Sequence, residues 1–189
     1  MSTGLAETRG ASCLAGAARA RVAASNDASE RFFTTHSGEI ARACQAMALR
    51  FRAGGRLLVY ADAPRASDVA HAVVEFMHPV VVGKRALPAM RLAWPSQLAL
   101  LGRRGDILLL FGDASFGEAG QLLPAAEAAG ILAIALVGAS GGTGHASPVH
   151  HEFVVPSDDA CIVQEPHEML YHVLWELVHV FLDHGQADS

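Results

Sequence analysis

The densest chemistry in the chain lies near its carboxyl end, in QEPHEMLYHVLWELVH from Gln164 to His179. Gln164, His167, His172 and His179 put one amide and three imidazoles on an otherwise apolar segment. Imidazole nitrogens bind zinc-like ions and carry protons near neutral pH. A second pair, His71 and Glu75, stands four residues apart in SDVAHAVVEF. On a helix both side chains leave one face and can reach one ligand, although the same spacing also makes an ordinary surface hydrogen bond.

At 100° per residue, Leu170, Val173, Leu174, Leu177 and Phe181 form the side of the last segment that should face a core. Gln164, Glu168, His172, Trp175 and His179 fall on the opposite side. Tyr171 and Trp175 beside them suggest a face covered by another subunit instead of water. His167 is expected to make a local hydrogen bond, and His145, His150 and His151 to be solvated loop histidines. Asp158 and Asp159 should cap the final helix. A buried, inert thiol is the plain reading of Cys161.

The elements that must position these groups alternate short apolar runs with amphipathic ones, the pattern of a parallel sheet covered by helices on both faces. Candidate strands begin at Arg56 (RLLVYA), Leu87 (LPAMRLA), Asp106 (DILLLFG), Ile131 (ILAIALVG) and Glu152 (EFVVPS). Their unbroken hydrophobicity implies burial on both sides. Helices are expected over 67–77, 96–103, 118–129 and 161–184, the first capped by Ser67 or Asp68. Two more precede the sheet, over 11–24 and 30–53, the second ended by Gly54 and Gly55. We divide the chain into a helical extension, 1–29, and a single domain, 30–189.

Composition narrows the function classes. With 14 Lys plus Arg against 19 Asp plus Glu, the 189-residue chain has no basic field for a nucleic-acid backbone. No apolar run approaches the roughly 20 residues of a membrane span. Three widely spaced cysteines, Cys13, Cys44 and Cys161, form neither a disulfide framework nor a zinc knuckle and fit a reducing cytoplasm.

In order, AGGRLLVYADAPRASDVAHAVVEF, LPAMRLA, RGDILLLFGDASFGEAGQLLPAAEAAGILAIALVGASGG and VPSDDACIVQEPHEMLYHVLWELV resemble the sugar isomerase (SIS) domain family, its phosphoheptose isomerase branch most of all. The resemblance runs from about Glu30 to about Leu182. It implies a three-layer αβα fold on a five-stranded parallel, flavodoxin-like sheet with extra N-terminal helices, assembled as a homotetramer or homodimer. It also implies zinc held by His71, Glu75, Gln164 and His172. Glu75 would act as base and His172 as acid in moving a proton between adjacent sugar carbons through an enediol.

The phosphate-binding segments depart from the family pattern. The glycine- and serine-rich loop after the first strand is here Ala61, Asp62, Ala63, Pro64, Arg65. Proline removes an N–H and Asp62 adds a negative charge, which leaves Arg65 as the candidate clamp on a substrate anion. The second hydroxyl-rich segment is Gly112 to Gly117, where Ser115 is the remaining hydroxyl. A dozen residues, WPSQLALLGRRG, stand where the isomerases carry a much longer substrate-binding stretch. Three functions therefore stay open: an isomerase acting on a sugar or altered sugar phosphate, a non-catalytic metal-binding accessory factor for a metalloenzyme, and an interaction module with a protein partner like the replication-initiator-binding members.

Overall fold

The computed structural model describes residues 3–79, 81–112, 118–141 and 149–184, with side chains from residue 13 onward. Five parallel strands, β1 (Leu57–Ala61), β2 (Ala89–Arg91), β3 (Ile107–Phe111), β4 (Leu132–Val137) and β5 (His151–Val154), pair in the order β2-β1-β3-β4-β5. Every residue of β3 and β4 is buried, as apolar runs without alternation require. Helices α1 (Thr3–Arg52), α2 (Ala66–Met77) and α5 (Ala160–His184) cover one face. Helices α3 (Ser96–Leu101) and α4 (Leu122–Ala129) cover the other. The expected three-layer αβα, flavodoxin-like architecture is therefore the observed one. In this order the connections reverse between β1 and β3, which places the ligand-binding crevice outside the carboxyl ends of the central strands.

The two expected N-terminal helices are one. Helix α1 runs unbroken through SNDAS at 25–29 and through the division proposed at 29/30. Those residues are modest helix formers but include neither Gly nor Pro, so continuing the helix costs only tenths of a kcal/mol at each. Ser25, buried there, hydrogen-bonds Glu165 of α5, and packing against α5 settles the matter. The stop is as expected: Gly54 adopts φ +84° and Gly55 N–H returns to the carbonyl of Arg50 at 2.8 Å.

Helix α5 has more than one buried side. Tyr171, Trp175 and His179 are buried within the chain, whereas Val173, Leu177 and Phe181 are only partly covered. The wet or subunit-facing aromatic face expected for Trp175 and His179 is thus corrected. Helix α5 packs against both α1 and α2 as well as contributing to the core over the sheet, so a second stripe of it is also covered. The ring nitrogens of His179 face the carbonyls of Trp175 at 2.8 Å and Arg85 at 3.0 Å. Asp159 caps α5 as expected, accepting from the N–H groups of Cys161 (3.0 Å) and Ile162 (3.2 Å). Cys161 itself is exposed, not buried. No helix among the described residues is long and apolar enough to cross a membrane.

Candidate metal and isomerase site

Helix α2 starts after a 3-10 turn, Ala63–Arg65, at the carboxyl end of β1. Neither Ser67 nor Asp68 caps it. Asp68 is buried instead, paired with the equally buried Arg65 (Nη1 to Oδ2, 3.4 Å), and Arg65 Nη2 donates to the carbonyl of Ala160 at 3.2 Å. The other oxygen of Asp68 accepts from the Gln164 amide, Nε2 to Oδ1, at 2.8 Å. This network staples the start of α2 to the start of α5. It also turns Arg65 inward, so the guanidinium expected to clamp a substrate anion serves as an internal tie.

One turn along α2, His71 meets α5. Its Nδ1 shares a hydrogen bond of 2.7 Å with the Tyr171 hydroxyl and lies 3.4 Å from Oε1 of Glu168. The His172 ring stands against it, centroids 5.0 Å apart and planes at 84°. His71, Glu168 and His172 each offer a ligand atom, all within 4.8 Å of one another. The side chains of His71 and Glu168 are 42% and 48% exposed, which leaves room for a further ligand. Burial, with the carboxylates of Glu168, Asp68 and Glu75, pushes the Tyr171 phenol well above the ordinary tyrosine range. The hydroxyl therefore keeps its proton and can both donate and accept.

The structure thus brings together His71 and His172 from the expected set. Gln164 is tied to Asp68, and Glu75, half-buried one turn beyond His71, is not in the converging group among the described residues. Ser115 lies outside the described residues, as do Asp113 and His145. Glu168 and Tyr171 were not singled out as site residues. Glu168 precedes His172 by four positions, so the spacing argument applied to His71 and Glu75 reaches it equally well.

A cleft of about 780 Å³ opens at the carboxyl ends of β1 and β2 beside the turn that leads into α2. Asp62, Pro64, Arg91, Trp94 and Glu118 are among its lining residues, whereas His71, Glu168 and His172 are not. Tyr60, also in the wall, has its phenol pKa raised by burial and then by Asp62 and Glu118. The cleft is acidic where a phosphate cradle would be basic or rich in N–H donors.

Three other histidines hold structure. His151, on β5, bonds Glu39 of α1, and His150 Nδ1 accepts from the N–H of Ala133 at 3.1 Å. His36 Nε2 lies 3.2 Å from the backbone of Val154. His167 is fully buried beside Phe111, with neither nitrogen in a hydrogen bond of normal geometry.

No protein-family model matches the chain. The chain is 28% identical over 170 residues to the phosphoheptose isomerase of Thermodesulfovibrio yellowstonii, covering 79% of this chain and 83% of that protein. Among solved structures, the phosphoheptose isomerase of Francisella tularensis superposes with TM-score 0.79 at 22% identity, covering 86% of this chain and 96% of that one. The enzyme of Neisseria gonorrhoeae gives TM-score 0.78 at 21% identity, over 88% and 99% of the two chains. In sequence the chain is thus similar to phosphoheptose isomerases, and it shares their sugar isomerase (SIS) fold.

Proposed function

We propose that the chain is an aldose–ketose isomerase, acting on an open-chain sugar that is not held through a conventional phosphate cradle. The observation that carries this reading is the meeting of His71 and His172, brought ring to ring from helices a hundred residues apart in sequence, with Glu75 one turn along α2. The acidic cleft, the proline at 64 and the inward-turned Arg65 favour a sugar without the phosphate.

Glu75 takes the proton from C2 of the aldose, and the electron pair moves to form the C1–C2 double bond while His172 gives a proton to the carbonyl oxygen. His172 then removes the proton of the C2 hydroxyl, C2 becomes the carbonyl, and Glu75 returns its proton to C1. The two imidazoles and nearby carboxylates match the donor chemistry of zinc or a similar divalent ion. The expected set His71, Glu75, Gln164 and His172 supplies the candidates to hold it. Such an ion would polarise the sugar carbonyl as a Lewis acid.

The test is solvent deuterium incorporation at C1 and C2, followed by NMR, with five- to seven-carbon aldoses both free and phosphorylated. Wild-type exchange should fall about 100-fold or more in Glu75→Gln, in line with loss of a general base. No exchange with any sugar would sink the isomerase reading. A second reading, a metal-binding accessory protein without turnover, is favoured by one observation: the histidines lie outside the large cleft. Metal binding without exchange is its signature.

We also propose self-association as a homotetramer or homodimer through the outer part of α1, in the cytoplasm, where three unpaired cysteines are at home. A protein partner belongs to the accessory reading.

A further inference from the structure

We infer that Tyr171 and Glu168 are positioning residues for His71: they hold its ring with the proton on Nδ1, so that the lone pair of Nε2 is what this imidazole presents to the site. The use of that lone pair rests on the function proposed above, in which Glu75, Gln164 and His172 keep their expected parts. Asp68 takes only an N–H of the Gln164 amide, so the amide oxygen stays available.

Position comes from Tyr171. Its side chain is fully buried, its ring stands edge-on to Phe111 with centroids 6.1 Å apart, and it lies against the rings of both His71 (5.2 Å, planes at 71°) and His172 (4.9 Å, 47°). The hydroxyl at its tip is 2.7 Å from His71 Nδ1. A phenol packed on these sides cannot follow a turning imidazole, so the bond fixes the His71 ring. One stretch of α5 therefore supplies the His172 imidazole and aims the imidazole of α2.

Direction comes from Glu168. A phenol can donate or accept, so the contact with Tyr171 alone permits either placement of the proton. Oε1 of Glu168 lies 3.4 Å from the same Nδ1, and an ionised carboxylate only accepts. With Nδ1–H both oxygens face a donor, the phenol at the shorter distance and the carboxylate at the longer one. With the proton on Nε2, the Nδ1 lone pair would stand against a negatively charged oxygen. Hydrogen bonds at one ring nitrogen settle in this way which nitrogen is left to act.

The experiment is NMR of isotopically labelled histidine ring nitrogens in the full chain, freed of metal, at about pH 8.5, where an ordinary histidine is neutral. His71→Gln identifies the His71 signals. Wild type should show His71 protonated at Nδ1 and unprotonated at Nε2. Glu168→Gln should move the tautomer ratio about threefold toward Nε2–H, the size of a partly exposed charged contact. Glu176→Gln, which removes an exposed carboxylate two turns further along α5, should leave the ratio unchanged. Tyr171→Phe, which keeps the ring, should show both tautomers, and its zinc affinity in competition with a chelator should fall about tenfold or more, as for loss of an outer partner of a metal-binding histidine. A wild-type His71 with its proton on Nε2, or on both nitrogens, overturns the assignment, as does an unchanged His71 signal in either Glu168→Gln or Tyr171→Phe. Because the spectra are taken without metal or sugar, a failure of zinc binding or of sugar exchange sinks the proposed use of the site and not the arrangement around His71.

Discussion

Burying an imidazole disfavours its charged form, and His167, with only a poorly placed backbone partner in Val137, is the clearest case in this chain. Burial first, and the charge of Arg65 second, hold its pKa down to about 3 from the ordinary 6.5. The folded state therefore keeps His167 neutral, whereas the unfolded chain protonates it as pH falls below about 6.5. Its contribution is fully present above that pH and is lost as pH falls toward 3. Between pH 7 and pH 5 the loss from this one group is about 2 kcal/mol. Urea unfolding at both pH values should show it, with His167→Gln losing about 2 kcal/mol less than wild type over that interval. Equal losses in the two proteins would mean the imidazole finds a partner in solution. Sequence alone gave no such warning, because a polar residue inside QEPH reads as one that has found a hydrogen bond.

Among the elements, the junction of α1 with β1 shows how closely the backbone is fitted. Gly54 turns the chain with φ +84° and faces open space, whereas a Cβ on Gly55 would stand 2.2 Å from the carbonyl oxygen of Gly105. Gly54→Ala should cost about 1 kcal/mol of stability, the ordinary penalty for a left-handed position. Gly55→Ala should cost more, roughly 2–4 kcal/mol, because backbone must move. Chemical denaturation ranks the two, and the reverse order would show that the loop carrying Gly105 yields easily. Both glycines were legible as a helix stop, but which of them is fixed by space depends on the turn before β3, fifty residues away. The same limit explains the larger misreadings. The five strands were legible because burial on both faces erases alternation. A helical wheel drawn for α5 assumed a single buried side, whereas Trp175 and His179 are buried as well, His179 against the carbonyl of Arg85 in the segment after α2. Glu168 and Tyr171 became site residues only when α2 was laid against α5.

At the scale of the whole molecule, α1 outgrows the domain it belongs to. Fifty residues of helix span about 75 Å, and among its described side chains the buried apolar ones start at Ala28. Upstream, Arg21 is tied to Asp159 at 3.0 Å, but Leu14 is 72% and Val22 59% exposed among alanines. An alanine-rich overhang of this kind buries little within its own chain and gains little from helix propensity alone. A second copy packed along it would cover the small side chains closely and shield both larger ones. The expected consequence is a mass in light scattering of two or four times the 19.8 kDa chain. Val22→Asp should shift that mass toward the monomer, since an unpaired carboxylate in an apolar contact costs several kcal/mol. Because Val22 contributes little inside the chain, the variant's circular dichroism should match wild type. A monomeric wild type would leave the overhang without an occupant from its own kind and turn attention to a different protein as the partner. An unchanged mass in Val22→Asp would move the contact to another face, with Trp94, 64% exposed at the mouth of the acidic cleft, as the next side chain to change.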